Sequence, residues 1–319
     1  MFLKRILKRI PKRRQLTIVL AGIFVLVVAG IFSLGLLSGK LSGWADVLTG
    51  QTGNIYYLGP NGDDINDGLT QSSALKTINK AFEKLRAGDT LKVLDGTTVV
   101  GSTNPFNTDV IGAVLPYAGT ASAWITIEAA DGASPVIDFA GDRTILIRDD
   151  SGYVAFKNLT FTNVRGIALK LYGPHIVFDG CKFRDFYEAI RTADGLQDLT
   201  IRNSEFWREY APAGQEFIYG SIRANGLLME HNIFYQTVSQ GGGYHGWLFK
   251  GHAANAEIRY NKFIGSPGIT AAATAIYLGG ELAGVDTWES VNFNIHDNLF
   301  YNWPGLIVRF ARTKDLGVV

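Results

Sequence analysis

A six-residue frame that recurs in the second half of the chain constrains the fold more than any other feature. Each copy begins with an apolar residue, has a turn-forming or polar residue in third place and ends with Phe. The six copies are 156–161, 178–183, 201–206, 229–234, 258–263 and 295–300, and their final Phe residues lie 22, 23, 28, 29 and 37 residues apart. Self-similarity at such a period predicts a solenoid.

The segments between the copies decide which kind of solenoid is expected. Each frame is followed by a second short apolar strand, at 166–170, 189–191, 221–223, 247–250, 275–278 and 306–309. No helical pattern fits between them, which excludes leucine-rich, ankyrin and tetratricopeptide arrays. The sequence therefore predicts an all-β parallel β-helix, in which coils stack about 4.8 Å apart and the recurrent Phe residues lie inside. The longer spacings indicate loops inserted on one face.

The domain is expected to begin with a strand at 55–58 and a capping helix. A helical stripe of Leu75, Ile78, Ala81, Phe82 and Leu85 predicts an amphipathic helix at 74–87, capped by Ser72 or Ser73 and ended by Gly88. Such a helix covers the open end of a solenoid.

The turn at 59–68 between these elements is a candidate Ca²⁺ site. Its four acids and amides are Asp63, Asp64, Asn66 and Asp67. Ile65 stands where an EF-hand loop needs a ligand, so an Asx-rich turn is favoured over Ca²⁺.

Composition excludes several classes of protein. The chain of 319 residues is 47% hydrophobic and 18% charged, which is too apolar for disorder, and its 37 glycines follow no collagen period. The one cysteine, Cys181, permits no internal disulfide and is expected to be a buried apolar residue rather than a nucleophile.

The N-terminus predicts a membrane anchor. Seven basic residues lie within 1–15, and residues 16–37 are 22 uncharged, mostly apolar positions, enough for a transmembrane helix of roughly 20 residues. The basic side should stay cytoplasmic, which places a linker at 38–54 and a domain at 55–319 outside the cytoplasm. A cleaved signal peptide is the alternative, although the apolar run exceeds the usual core of about 7–15 residues.

The charge distribution argues against a nucleic-acid partner. Eight of the 30 basic residues precede the first acid, Asp46, so 22 basic residues face 29 acidic ones in the remainder. The excess of basic residues is confined to the N-terminus, where it predicts the orientation of a membrane anchor and does not indicate nucleic-acid binding.

The segments 56–63, 75–81 and 87–90, together with the Asn-x-Phe coils, resemble the pectin-lyase-like superfamily of right-handed parallel β-helix proteins. The N-terminal part is similar to the opening of family 9-like polysaccharide lyases, and the resemblance covers roughly residues 55–319. It implies a polysaccharide-active fold, but this fold hosts lyases, hydrolases, esterases, epimerases and inert tail fibres.

A series of cations in the second strands is the first candidate site. Lys170, Arg191, Arg223 and Lys250 each follow an apolar residue at a comparable point of successive coils. If the registers match, they form a ladder of cations about 5 Å apart, which would bind a polyanion such as a uronate polysaccharide. The alternative is that each pairs with a nearby acid such as Asp194 or Glu216, or points into solvent.

The segment 244–252 is the sharpest local candidate. Elimination from a uronate needs a base for the proton next to the carboxylate and a cation for the carboxylate itself. Lys250, with a pKa lowered by neighbouring cations, is the predicted base and Arg223 its carboxylate partner. The substrate-binding candidates are His245, Trp247 and His252. The alternative is that these residues lie in loops and have no chemical role.

The resemblance implies that a Lys or Arg on a strand face is the base. It also implies that Ca²⁺ or a second cation binds the acid group of the substrate. The coil at 275–280 departs from it, because it carries no Arg where some of these lyases place one. No metal ligand set is predicted.

These observations predict a lyase for an acidic polysaccharide. A non-catalytic carbohydrate-binding or adhesion module and an architectural stalk are the alternatives. The strand at 306–310 lies nine residues before the end without a polar cap, so we expect a fragment of a longer protein or a partner that covers this end.

Overall fold

A computed structural model describes residues 53–107, 109–207, 216–220, 224–236, 249–251, 253–266, 274–278, 290–303, 305–310 and 313–318. The described residues all belong to one compact unit, Gln51–Val319. The described residues of this unit form one helix and 25 strands, which we number in chain order.

Ten parallel strands stack along the length of the domain and form its first face, face A. They are β1 (Ile55–Leu58), β2 (Thr90–Val93), β5 (Ile125–Ala129), β8 (Val154–Lys157), β10 (Ile176–Asp179), β13 (Gln197–Arg202), β16 (Ala224–Glu230), β19 (Ala253–Arg259), β22 (Ser290–His296) and β25 (Thr313–Val318). Each strand pairs with its equivalent from the preceding coil, as a parallel β-helix requires.

The remaining strands form two further ladders joined by the long strand β9 (Thr160–Leu171). Face B contains β3 (Thr97–Val99), β6 (Val136–Gly141), the start of β9, β11 (Lys182–Arg184), β14 (Glu205–Trp207), β17 (Ile233–Gln236), β20 (Lys262–Gly265) and β23 (Leu299–Tyr301). Face C contains β4 (Gly112–Leu115), β7 (Thr144–Ile147), the end of β9, β12 (Phe186–Thr192), β15 (Ile218–Tyr219), β18 (Phe249–Gly251), β21 (Ile276–Leu278) and β24 (Val308–Phe310).

The recurrent Phe residues form a column inside the coils, as predicted. Each pairs in register with the Phe of the next coil, from Phe161 through Phe183 and Phe206 to Phe300. Their neighbouring rings are stacked with centroids 4.6–5.0 Å apart. This column joins the apolar first residues of the frames in one buried core.

The third position of the frame is the bend between faces A and B. Its six residues all have φ between 53° and 67°, including Tyr260, whose residue type is uncommon in this left-handed region. The asparagines that follow at the fourth position lie inside the coil. Asn232 donates to Oδ1 of Asn261 at 3.0 Å, and Asn261 donates to Oδ1 of Asn298 at 3.0 Å. These amides satisfy buried backbone groups where the chain turns.

The predicted capping helix is present but shorter than expected. Helix α1 (Ile78–Lys84) packs on β1 and β4, and its predicted apolar stripe is buried in the core. Thr77, rather than Ser72 or Ser73, is the N-cap and accepts a bond from the Lys80 amide. The helix ends before Gly88, because Leu85 is already extended at φ −62° and ψ 137°.

Cys181 is buried and inert, in agreement with its expected role. Its Sγ lies 3.4 Å from the Phe156 carbonyl oxygen, and burial raises the pKa of the thiol to about 12. A thiol that stays protonated at neutral pH is not a nucleophile.

Within the ranges given above, no helix has the length and apolar character needed to cross a membrane. The predicted transmembrane helix at 16–37 and the basic segment before it lie outside those ranges, as does most of the predicted linker.

Candidate functional site

One column of outward positions on face C carries the cations that the sequence singled out. Backbone pairing makes six residues successive partners along this column, which we call the face C ladder: Lys170, Arg191, Tyr219, Lys250, Tyr277 and Arg309. Equivalent residues of neighbouring coils lie about 4.8 Å apart, so the ladder is a continuous row of polar and aromatic groups.

The register supports the predicted ladder at three positions and corrects it at the fourth. Lys170, Arg191 and Lys250 occupy equivalent positions, as expected. Between Arg191 and Lys250, however, the rung belongs to Tyr219. Arg223 lies outside the described residues, and the coil reaches the ladder four residues before it. The ladder therefore alternates cations with tyrosines beyond Arg191 and is not a row of cations alone.

Arg191 is the best-defined member of the ladder. Its Nε and Nη2 donate to the two carboxylate oxygens of Glu188 at 2.7 and 2.5 Å. Glu188 is completely buried, and its hydrogen bonds to Arg191 raise the pKa of that guanidinium further. A bidentate pair of this kind fixes both side chains. The counter-charge that we expected from a polyanion, or from Asp194 or Glu216, is thus supplied to Arg191 by its own strand.

Sequence reasoning missed Glu188 because residues three apart on a regular strand point to opposite faces. The register shift of β12 on β9 lies before Glu188, and Glu188 and Arg191 both belong to the regular part that follows it. The alternation of the strand therefore gave no reason to pair the two residues.

Tyr219 is half-buried beside Arg191. The guanidinium carbon of Arg191 lies 5.1 Å from the centroid of the Tyr219 ring, within cation–π range. Burial raises the pKa of the Tyr219 hydroxyl, the charge of Glu216 adds to this, and the charge of Arg191 acts in the opposite direction. The phenol therefore stays protonated at neutral pH and is a hydrogen-bond donor.

The second tyrosine of the ladder is far less accessible. Tyr277 is only 4% exposed although its position on the strand faces outward, and the guanidinium carbon of Arg309 lies 5.0 Å from its ring centroid.

Lys170 lies at the other end of the ladder and is half-buried. In the described part of the chain, no carboxylate lies within ion-pairing distance of it.

The register also gives the position of Lys250 relative to the tyrosines of the ladder. Its backbone lies in β18 between the rungs of Tyr219 and Tyr277, so these two neighbouring rungs do not supply the cations that we expected to crowd it. His245, Trp247 and His252 lie outside the described residues, and their predicted roles stay predictions.

The described residues contain no group of three or more His, Cys, Asp or Glu side chains arranged to hold a metal ion. In the turn at 59–68, Asp64 Oδ1 accepts bonds from the amides of Lys76 and Thr77, and Asp67 accepts from the Leu69 amide and Ser73. The favoured Asx-rich turn is therefore present.

Face A offers a contrast, because its outward charges are paired among themselves. Successive partners along this face alternate in sign, and we call them the face A ladder: Lys92, Glu128, Lys157, Asp179, Arg202, Glu230 and Arg259. Lys92 lies 3.0 Å from Glu128, and Arg202 and Arg259 each lie 2.8 Å from the acid one coil earlier. Such a face gives a polyanion little net attraction.

Solved structures with similar folds decide the fold class. A rhamnogalacturonan lyase matches with a TM-score of 0.52 and 15% identity, over 84% of this chain and 87% of its own. Pectate lyase Pel9A matches with a TM-score of 0.51 and 15% identity, over 83% and 77%. The chain has the pectin-lyase-like parallel β-helix fold. At this identity the likeness concerns the fold alone. No protein-family model and no curated protein sequence matches the chain.

Proposed function

We propose that this pectin-lyase-like chain cleaves an acidic polysaccharide by β-elimination on face C, with Lys250 as the base. The observation that carries the proposal is the face C ladder, in which cations and tyrosines repeat at the coil spacing on one face. Two lyases with the same fold are consistent with this activity.

The ladder suits a chain that runs along the axis of the β-helix. Arg191 and Arg309 lie two rungs on either side of Lys250, about 10 Å away, so uronate carboxylates can meet a cation on both sides of the base. Arg191 donates to Glu188 through Nε and Nη2. Its third nitrogen, Nη1, takes part in neither of these bonds and can donate to a uronate carboxylate of the substrate. Arg223 remains the alternative carboxylate partner.

The activity is tested by incubating the protein with polygalacturonate, alginate and hyaluronan. Elimination produces a conjugated double bond, which is followed by ultraviolet absorbance. We expect product from at least one polymer and a loss of about 10²–10⁴-fold in kcat for Lys250→Ala, the usual contribution of a general base. Absence of product from every polymer would refute the lyase proposal, and full activity of Lys250→Ala would refute the assignment of the base.

The roles of the two arginines are separated by single variants. Arg191→Gln and Arg223→Gln are compared for KM and kcat on the cleaved polymer. Loss of activity in one variant and not in the other identifies the carboxylate partner.

A non-catalytic carbohydrate-binding module is the second candidate, because the same ladder can hold a polyanion without cleaving it. Affinity electrophoresis in gels with these polymers measures this directly. Retardation that weakens with salt, without any product, favours the binding module.

We also propose that residues 16–37 anchor the domain outside the cytoplasm, since an uncharged apolar run of 22 residues follows a basic segment. Membrane fractions are compared for the full chain and for a deletion of residues 1–37. Extraction of the full chain by carbonate would contradict the anchor.

A further inference from the structure

We propose that Tyr219 is the general acid that protonates the leaving glycosidic oxygen in the elimination on face C. This proposal rests on the proposed lyase activity. Its starting point is the register, in which Tyr219 and Lys250 are direct partners on adjacent strands β15 and β18. Residues paired in this way on neighbouring coils lie about 4.8 Å apart, which is within the span of one sugar residue.

The chemistry of elimination needs both groups. Neutral Lys250 removes the proton next to the carboxylate, and the carboxylate takes up the electron pair of this C–H bond as an enolate. The enolate then returns this electron pair to form the new C=C bond. The bond from the neighbouring carbon to the glycosidic oxygen breaks, and the oxygen takes that electron pair. Tyr219 gives its hydroxyl proton to this oxygen, so the leaving sugar is released as an alcohol. The Lys250 ammonium then returns a proton to the Tyr219 phenolate, and no other reactant is consumed.

The surroundings of Tyr219 fit a proton donor. Burial raises the pKa of the hydroxyl, which keeps it protonated before the reaction. The guanidinium of Arg191, 5.1 Å from the ring centroid, favours the phenolate that forms when the proton leaves. Glu188 holds Arg191 in this place through two hydrogen bonds and is a positioning residue.

Accessibility distinguishes the two tyrosines that flank Lys250. Tyr219 is half-buried, whereas Tyr277 is 4% exposed and has Arg309 against its ring. A polysaccharide on face C can therefore reach Tyr219 more readily than Tyr277. Tyr235 provides a matched control, since it is also half-buried but lies in β17 on face B, outside the face C ladder.

The test compares Tyr219→Phe with Tyr235→Phe on the polymer that the wild type cleaves. In Tyr219→Phe the ring beside Arg191 stays and only the hydroxyl is removed, and circular dichroism checks that both variants are folded. We expect kcat to fall about 10²–10⁴-fold in Tyr219→Phe and to stay within about threefold in Tyr235→Phe. A kcat of Tyr219→Phe within threefold of the wild type would overturn the proposal while leaving the lyase activity intact.

A second readout separates a catalytic role from a structural one. In D₂O, Tyr219→Phe should still exchange the proton next to the carboxylate for deuterium, because Lys250 remains, although cleavage is lost. Mass spectrometry of the uncleaved polymer measures this exchange. Loss of cleavage and exchange together would assign Tyr219 a structural role and refute the proposal. If the wild type cleaves none of the three polymers, the proposed function fails and this inference fails with it.

Discussion

Phe183 and Phe206 lie face to face inside the coils, with ring centroids 4.6 Å apart and ring planes within 5° of parallel. They are the second of the five stacked pairs in the Phe column, and Phe206 stacks in the same way on Phe234, 4.8 Å away. Each ring therefore contacts the coil before it and the coil after it. Such contacts couple neighbouring coils, as nearest-neighbour interfaces do in repeat proteins.

Phe206→Ala should destabilise the domain by about 3–5 kcal/mol, because it removes a fully buried ring and leaves a cavity between two others. Urea unfolding followed by circular dichroism measures the change. Tyr301→Ala, at an aromatic residue that is 58% exposed, is the control and should cost less than about 0.5 kcal/mol. Equal losses in the two variants would show that the column is not the main contact between coils.

Asn261→Ala should destabilise the domain by about 1–3 kcal/mol for each buried group that it leaves without a partner. Asn261 accepts bonds from the amide and the side chain of Asn232 and donates to the Met229 carbonyl. The control is Asn255→Gly at an exposed position, where Asn255 donates to Asn225 and accepts from Asn292, and where water can replace the lost bonds. Gly also tolerates the φ of 53° at that position. A control variant as unstable as Asn261→Ala would contradict this explanation.

The sequence predicts the Phe column well because its spacing within the frame never changes. The same regularity does not extend to face C, where the strands follow insertions of different length. Tyr219, in the two-residue strand β15, was therefore missed in favour of Arg223. Glu188 was missed because residues three apart on a strand are not expected to share a side, although Glu188 and Arg191 form a bidentate pair.

The asparagines of the frame have two different roles. Asparagine tolerates positive φ, and Asn158 and Asn203 occupy the bend accordingly. Other frames have Gly180, His231 or Tyr260 at the bend. The asparagines at the next position, such as Asn232, instead serve as buried hydrogen-bonding groups. Propensity alone does not separate these roles, because both occur in the same turn.

Asp179→Lys should destabilise the domain by about 1 kcal/mol more than Asp179→Asn at low salt. Asp179 lies between Lys157 and Arg202 in the face A ladder, so a lysine there places three cations on successive coils. Urea midpoints at 0.05 and 1 M NaCl measure the difference, which should shrink at high salt because the Debye length falls to about 3 Å.

Exchanging the charges of one pair should not restore stability in an alternating ladder. In Asp179→Lys with Arg202→Glu, the new lysine still faces Lys157 and the new glutamate faces Glu230. Full recovery in this double variant would indicate isolated ion pairs and would contradict a coupled ladder.

His296 should stabilise the domain more at low pH than at high pH. Its Nδ1 lies 2.8 Å from Asp297, its Nε2 lies 3.1 Å from Glu257, and these two hydrogen bonds raise the pKa of the imidazole. Arg259, which also bonds Glu257 at 2.8 Å, is the cation nearest to this group on the preceding coil. Because the folded-state pKa lies above the unfolded value of about 6.5, the contribution of His296 is complete below pH 6.5 and is lost as the pH rises through the folded-state value.

Glu257 sets the lower limit of this window. Burial alone would raise the pKa of its carboxyl, but the hydrogen bond from His296 and the charge of Arg259 lower it below its usual value. Its contribution is therefore present above about pH 4.3 and is lost as the pH falls through the lower folded-state value. Urea midpoints of the wild type and His296→Gln at pH 5.5 and 8.5 test the prediction, and the substitution should cost more at pH 5.5. A cost that is the same at both values would mean that the imidazole is not charged in the folded domain at pH 5.5.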